Sequence, residues 1–146
     1  MQQALAQAEL AIKIDEVPVG AVLVKNNQLI AAGYNQMIRN NDPSAHAEIQ
    51  AIRNAGVAES NYRLINSTLY VTLEPCMMCV GAIVHARIQR LVFGAYDHKT
   101  GMVETADCCF EKDYHNHKVI TQGGVLEYEC SELLKQFFKH KRELLK

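Results

Sequence analysis

The 146-residue sequence has no tryptophan, only three prolines and no excess of either charge, its formal net charge being -1. No global basic field therefore marks it as a nucleic-acid binder, and any such footprint must be local. No apolar run extends much beyond about ten residues, too short to span a bilayer. No charged-then-apolar leader ends at a small-residue cleavage site. The five cysteines are an odd number, two of them adjacent (Cys108, Cys109), which argues against a disulfide framework and for a reducing compartment such as the cytoplasm. Membrane, secreted and disordered classes are disfavoured. What remains, with 49% hydrophobic and 21% charged residues, is an ordinary globular composition at about the length of one domain.

Hydrophobic periodicity divides the chain without repeats or linkers. Gln2 to Asp15 has helical spacing at Leu5, Ala8 and Ile12. Val19 to Val24 reads as a buried strand, Asn26-Asn27 as a tight turn, and Leu29 to Tyr34 as the returning strand. Turn residues Asn40 to Ser44 predict a helix start, with the helix running to Asn54 and Gly56 just past its end. Thr68 to Leu73 is the next strand. Pro75 suits the first position of a helix reaching His85. Arg90 to Gly94 is a strand, Lys118 to Ile120 a short edge strand, and Cys130 to Leu145 a helix whose stripe of Leu133, Leu134, Phe137 and Phe138 should pack on the sheet. Residues 97–116 carry no clear period. Strands alternating with helices imply an α/β fold around one central sheet.

Two short segments carry chemistry: His46-Ala47-Glu48 and Pro75-Cys76-Met77-Met78-Cys79. A catalytic zinc takes three N or S protein ligands and keeps one position open. One His and two Cys meet that need, and the i, i+3 cysteines share a helix face. They also fall in a first turn, where the helix dipole favours thiolate. In mid-helix, residues i and i+2 point about 200° apart. His46 and Glu48 can serve one ion only where a helix begins. The spacing predicts a zinc between two helix N-termini, with Glu48 near it but not bound. The competing readings are a closed structural zinc completed by Cys108, Cys109 or a His, and a redox Cys-x-x-Cys that leaves His46 and Glu48 unexplained.

His-x-Glu followed by Pro-Cys-x-x-Cys is the mark of the zinc nucleobase deaminases. The chain further resembles the bacterial tRNA-specific adenosine deaminases of the cytidine/deoxycytidylate deaminase superfamily. The matching text is Glu16 to Val24, Gly33-Tyr34-Asn35, Asp42 to Ile49, Thr68 to Cys79 with Gly81-Ala82-Ile83, Val92 to Ala95, Asp97, and Lys99-Thr100-Gly101. The resemblance covers nearly the whole chain. It implies one CMP/dCMP-type deaminase domain over residues 1–146, with a three-layer α/β/α cytidine-deaminase-like fold and a central mixed sheet of about five strands. It also implies a homodimer, one Zn2+ per subunit, and conversion of adenosine to inosine at the wobble position of a tRNA anticodon. His46, Cys76 and Cys79 would hold the metal and Glu48 would move protons between water, ring N1 and the departing amine.

By the same resemblance Asn35 would hold the target base, Asp97 would contact the ribose whose 2′-OH separates RNA from DNA, and the backbones of Ala47 and Leu73 would frame the pocket. Asn35 could instead satisfy its own turn, and Asp97 could be a solvated loop residue. Tyr96 departs from the basic residue often found there. Val17 and Pro18 are candidates for the pocket lining or the core. Lys139, Arg142 and Lys146 fall on one face of the last helix and would meet the anticodon-arm backbone, unless they only suit the helix dipole. Met77 and Met78 read as core or dimer packing, and Cys108 and Cys109 as buried thiols. The alternative functions are a guanine, cytosine or dCMP deaminase on the same fold, and a non-catalytic RNA-binding module with a structural zinc.

Overall fold

The computed structural model describes residues Met1–Lys146. Helix α1 (Gln2–Lys13) buries Ala4, Ala8 and Ala11, a small-residue stripe at helical spacing that lets its axis approach the sheet closely. Strands β1 (Gly20–Lys25) and β2 (Gln28–Tyr34) form a hairpin. Its turn residues Asn26 and Asn27 both adopt left-handed backbone, with φ of 52° and 59°. Two-residue hairpins need that conformation to match strand twist, and Asn tolerates it. A short helix α2 (Met37–Asn40) leads to α3 (Ala47–Glu59), β3 (Ser67–Leu73), α4 (Met77–His85), β4 (Arg90–Ala95), β5 (Ile120–Gln122) and α5 (Glu127–Leu144).

The sheet order is β2-β1-β3-β4-β5. β1 is antiparallel to β2 and β3, whereas β3, β4 and β5 are parallel, giving the expected mixed five-stranded sheet. Gly33, Ala21, Val71 and Phe93 form one cross-strand row. A Cβ at Gly33 would lie 2.5 Å from the Ala51 backbone nitrogen, so this row faces α3, and α4 packs beside α3. Successive residues alternate faces. Gly20 and Gly94 therefore open to the other side, where α1 approaches Gly20 and Cys130 of α5 seats against Gly94. The result is three layers, α/β/α. Leu23, Leu69, Leu91, Phe93 and Ile83 are fully buried in the core, each contributing about 1.5–3 kcal/mol.

Several expectations shift. Helix α3 begins at Ala47, not within Asn40 to Ser44, because Asp42 Oδ1 accepts both the backbone N–H and the hydroxyl of Ser44 and closes a turn there. Gly56 lies inside α3, in open space apart from a distant contact, and the helix ends at Ser60 in left-handed backbone. Pro75 stands outside α4, whose N-cap is Cys76. The edge strand is Ile120–Gln122, displaced from Lys118 to Ile120. Helix α5 starts at Glu127 and ends at Leu144, so Lys146 lies beyond it. Only Cys130 of α5 is buried, and Phe138 is 44% exposed rather than packed on the sheet. Met77 is 65% exposed, so it is not core. Cys109 is buried but Cys108 is only half-buried.

Candidate active site

The parallel strands β3 and β4 end at Leu73 and Ala95, and α/β sheets place ligands outside such carboxyl ends. Two helices start beside this edge. His46 is the N-cap of α3 and Cys76 the N-cap of α4, both in extended backbone and neither side chain spent on capping. The extended residue at position 46 breaks the helical angular step, which lets His46 and Glu48 approach one point although they are two apart. His46 Nδ1 lies 3.6 Å from Cys76 Sγ and 3.6 Å from Cys79 Sγ. The three ligand atoms fall within 4.8 Å of one another. Tetrahedral zinc, with Zn–S of about 2.3 Å and Zn–N of about 2.0–2.1 Å, sets an S···N separation of about 3.6 Å. The donor set and its spacing fit that ion.

The electrostatics agree with a cation site. A hydrogen bond from the Cys79 thiol, aided by His46, outweighs burial and brings the Cys76 thiol down to about 4. The hydrogen bond to Cys76, and then burial, push Cys79 up in the same exchange. A dication bound between the two sulfurs and His46 would displace the thiol protons. Hydrogen bonding to Cys76 raises His46. Glu48, in the first turn of α3, is 4% exposed, and burial raises its carboxyl above the ordinary range. A proton shuttle needs such a poised acid.

His46, Glu48 and Cys76, with Cys79 buried behind them, line a cavity of about 180 Å³ together with Val17, Val19, Asn35, Met37, Leu73, Glu74, Asp97 and Thr100. That is below the roughly 300–1,000 Å³ of drug-sized pockets and suits one heterocycle. Asn35 is buried and held at both ends of its amide: its Nδ2 donates to Val17 O at 3.0 Å and its Oδ1 accepts from Ala47 N at 2.9 Å, which leaves one amide hydrogen free. Asp97 lines the wall, with Oδ1 accepting from the backbone of Lys99 and Thr100 and Oδ2 from the Thr100 hydroxyl. Burial raises its carboxyl, and these donors overcome that and hold it below the usual value.

Not every expected residue is here. Pro18 is buried in the interior and does not line the cavity. Lys139 and Arg142 are exposed near the end of α5, outside the lining, and none of the four salt bridges engages them. Tyr96 packs edge-on against Phe93 at 5.1 Å. The sequence reading missed Met37, Thr100 and Glu74. A carboxylate at the end of an apolar strand was the available signal for Glu74.

The sequence model of the MafB19-like deaminase family matches residues 1–142. A tRNA-specific adenosine deaminase of Haemophilus influenzae is 51% identical over 144 residues, 98% of this chain and 83% of that protein. A solved structure from work on A-to-I editing by tRNA:A34 deaminases at the wobble position of transfer RNA is 46% identical, with a TM-score of 0.89 over 92% of this chain and 97% of that one. A guanine deaminase from Bacillus subtilis is 31% identical, with a TM-score of 0.63 over 97% of this chain and 90% of that one. Matched over nearly its whole length by that family model and by relatives of about half its sequence, the chain belongs to the MafB19-like deaminases and to the tRNA-specific adenosine deaminase family.

Proposed function

We propose that this protein hydrolyses adenosine to inosine at the wobble position of a tRNA anticodon, with water consumed and ammonia released. The observation that carries this reading is the buried Glu48 carboxyl beside the His46, Cys76 and Cys79 donors in a base-sized cavity. His46 Nδ1 and the two Sγ atoms would hold one zinc ion, which when bound acts as a Lewis acid and makes water ionisable near neutral pH. Glu48 takes the proton of the attacking water, delivers it to ring N1 and finally to the departing amine. Asn35 fixes the base edge with its remaining amide hydrogen, and Leu73 frames the ring; Ala47, expected beside it, is instead fully buried outside the lining and holds the Asn35 amide through its backbone N–H. Asp97 lines the wall on the ribose side.

The size of the substrate is supported by a second groove of about 750 Å³. It shares Val17, Leu73, Asp97 and Thr100 with the cavity and adds Lys99, Lys135 and the exposed face of Phe138. Cations with an aromatic platform suit a polynucleotide better than a free base. An anticodon-loop base is already unpaired, which lowers the cost of extrusion. The protein is read as one deaminase domain acting as a homodimer, with Met77 and Met78 offering apolar surface on α4. No helix is long and apolar enough to cross a membrane, and five free cysteines suit the cytoplasm.

The test is to incubate the zinc-loaded protein with unmodified tRNA and sequence the product. Inosine at the first anticodon position, read as guanosine, is expected. Glu48→Ala should abolish it, with a loss of about 10²–10⁴-fold or more. Turnover of free guanine, cytosine or dCMP with no change in the tRNA would overturn the assignment in favour of a small-molecule deaminase.

A further inference from the structure

Glu74 takes no part in the chemistry described, yet it is the most heavily hydrogen-bonded carboxylate in the protein. It is 2% exposed and lies between the last residue of β3 and the Pro75-Cys76 step. Its Oε1 accepts the backbone N–H of Asp97 at 3.2 Å and the hydroxyl of Thr105. Its Oε2 accepts the backbone N–H groups of Val103, Glu104 and Thr105 at 3.1, 2.8 and 3.0 Å. The main chain adds two more ties: Glu74 N–H donates to Ala95 O at 2.9 Å and Met102 N–H to Pro75 O at 3.0 Å. A Cβ at position 101 would fall 2.5 Å from the carboxyl, so Gly101 is what lets the loop close over it.

No cation neutralises this group, for no salt bridge includes it. Its compensation is a ring of donors, all drawn from residues 97–105. That loop brings Asp97 and Thr100 to the cavity wall, while Leu73 and Cys76, on either side of Glu74 in the chain, stand in the same cavity. One side chain therefore spans from the β3–α4 junction, two residues before the proposed ligand Cys76, to the opposite, substrate-facing wall.

We infer that Glu74 is a positioning residue for the deamination: it sets the registration of the Asp97–Thr100 wall against the His46, Cys76, Cys79 and Glu48 constellation. The inference rests on the function proposed above. A carboxylate is required because every neighbour is a donor. Glutamine would fill the same volume but turn one end of the acceptor into a donor facing N–H groups.

Glu74→Gln is the test, read three ways in the full-length zinc-loaded protein. Zinc content and far-UV circular dichroism should match the wild type. Backbone amides of Asp97 and Val103 to Thr105 should exchange with solvent at least tenfold faster. Single-turnover deamination of an anticodon stem-loop should slow by about 10–100-fold, the scale of an ångström-sized misplacement. In a cycle with Asp97→Ala the two losses should be strongly non-additive. Thr105→Val, which removes one donor only, should give a smaller change in the same direction and guards against an unfolded glutamine variant. Unchanged exchange in Glu74→Gln, or fully additive losses, would overturn the inference. Failure of the wild type to act on tRNA would count against the proposed function alone, since the exchange measurement still decides the role of Glu74 and the cycle can be run on whichever base is accepted.

Discussion

Asn35 Oδ1 accepts a 2.9 Å hydrogen bond from the backbone N–H of Ala47, the residue between His46 and Glu48. The other end of the same amide donates to Val17 O at 3.0 Å. One side chain thus joins the first turn of α3 to the loop before β1. Each buried backbone group left unpaired costs about 1–3 kcal/mol. Asn35→Ala should therefore lower the urea midpoint as well as the rate on tRNA. Asn35→Asp keeps the acceptor for Ala47 but sets an oxygen against the Val17 carbonyl, and should fall between the two. Equal urea midpoints for wild type and the alanine variant would leave Asn35 with no structural share in the site.

The strands that build the sheet were legible because their apolar runs are bounded by turn residues: Asn26-Asn27 closes the hairpin as expected, and β3 and β4 lie within a residue of their expected limits. Helix α2 has four residues, too few to show a period. Its anchor, the buried Glu16 accepting from Arg39 N at 2.8 Å, is remote in sequence. Gly56 misled as a terminator because glycine within a helix costs only about 1 kcal/mol. The meeting of His46, Cys76 and Cys79 at two helix starts was readable from spacing. Glu74 was not, because its partners come from a loop some thirty residues on, without a periodic signal of its own.

Metal removal separates a catalytic from a structural ion. His46 and Cys76 sit at helix starts outside the main hydrophobic cluster, so the core does not depend on them. Chelation should abolish deamination and leave far-UV circular dichroism unchanged, and added zinc should restore turnover. Thermal stability should rise with zinc concentration, as for any ligand bound only by the folded state. Collapse of the fold on chelation would reassign the site as structural.

The pairing of α5 with the sheet has a pH signature. Cys130 is 1% exposed against Gly94. Burial, and then the Glu129 carboxylate, push its thiol up to about 11, against about 8.5 for an unfolded cysteine. A raised folded value means that its contribution is whole below the unfolded value and is lost as pH rises through the folded one. The urea midpoint should fall between about pH 8.5 and 11, and Cys130→Ala should fall less steeply over that window because one titrating group is gone. Parallel slopes for the two proteins would refute the assignment.

The cations near the end of α5 fall into two kinds, and only one should affect RNA binding. Lys141 is paired with Asp15 and lies 5.6 Å from the Phe137 ring centroid, so it ties α5 to the end of α1. Lys139 and Arg142 are exposed and unpaired. Each phosphate contact to single-stranded RNA contributes about 0.7 to the slope of log K against log salt. Replacing Lys139 and Arg142 together by alanine should weaken tRNA binding and flatten that slope by about 1.4. Lys141→Ala should lower stability and leave the slope where it was. Should the Lys139 and Arg142 double variant also keep the wild-type slope, the positive end of α5 serves only the helix dipole, and the phosphates must be met from the Lys99 and Lys135 side of the groove.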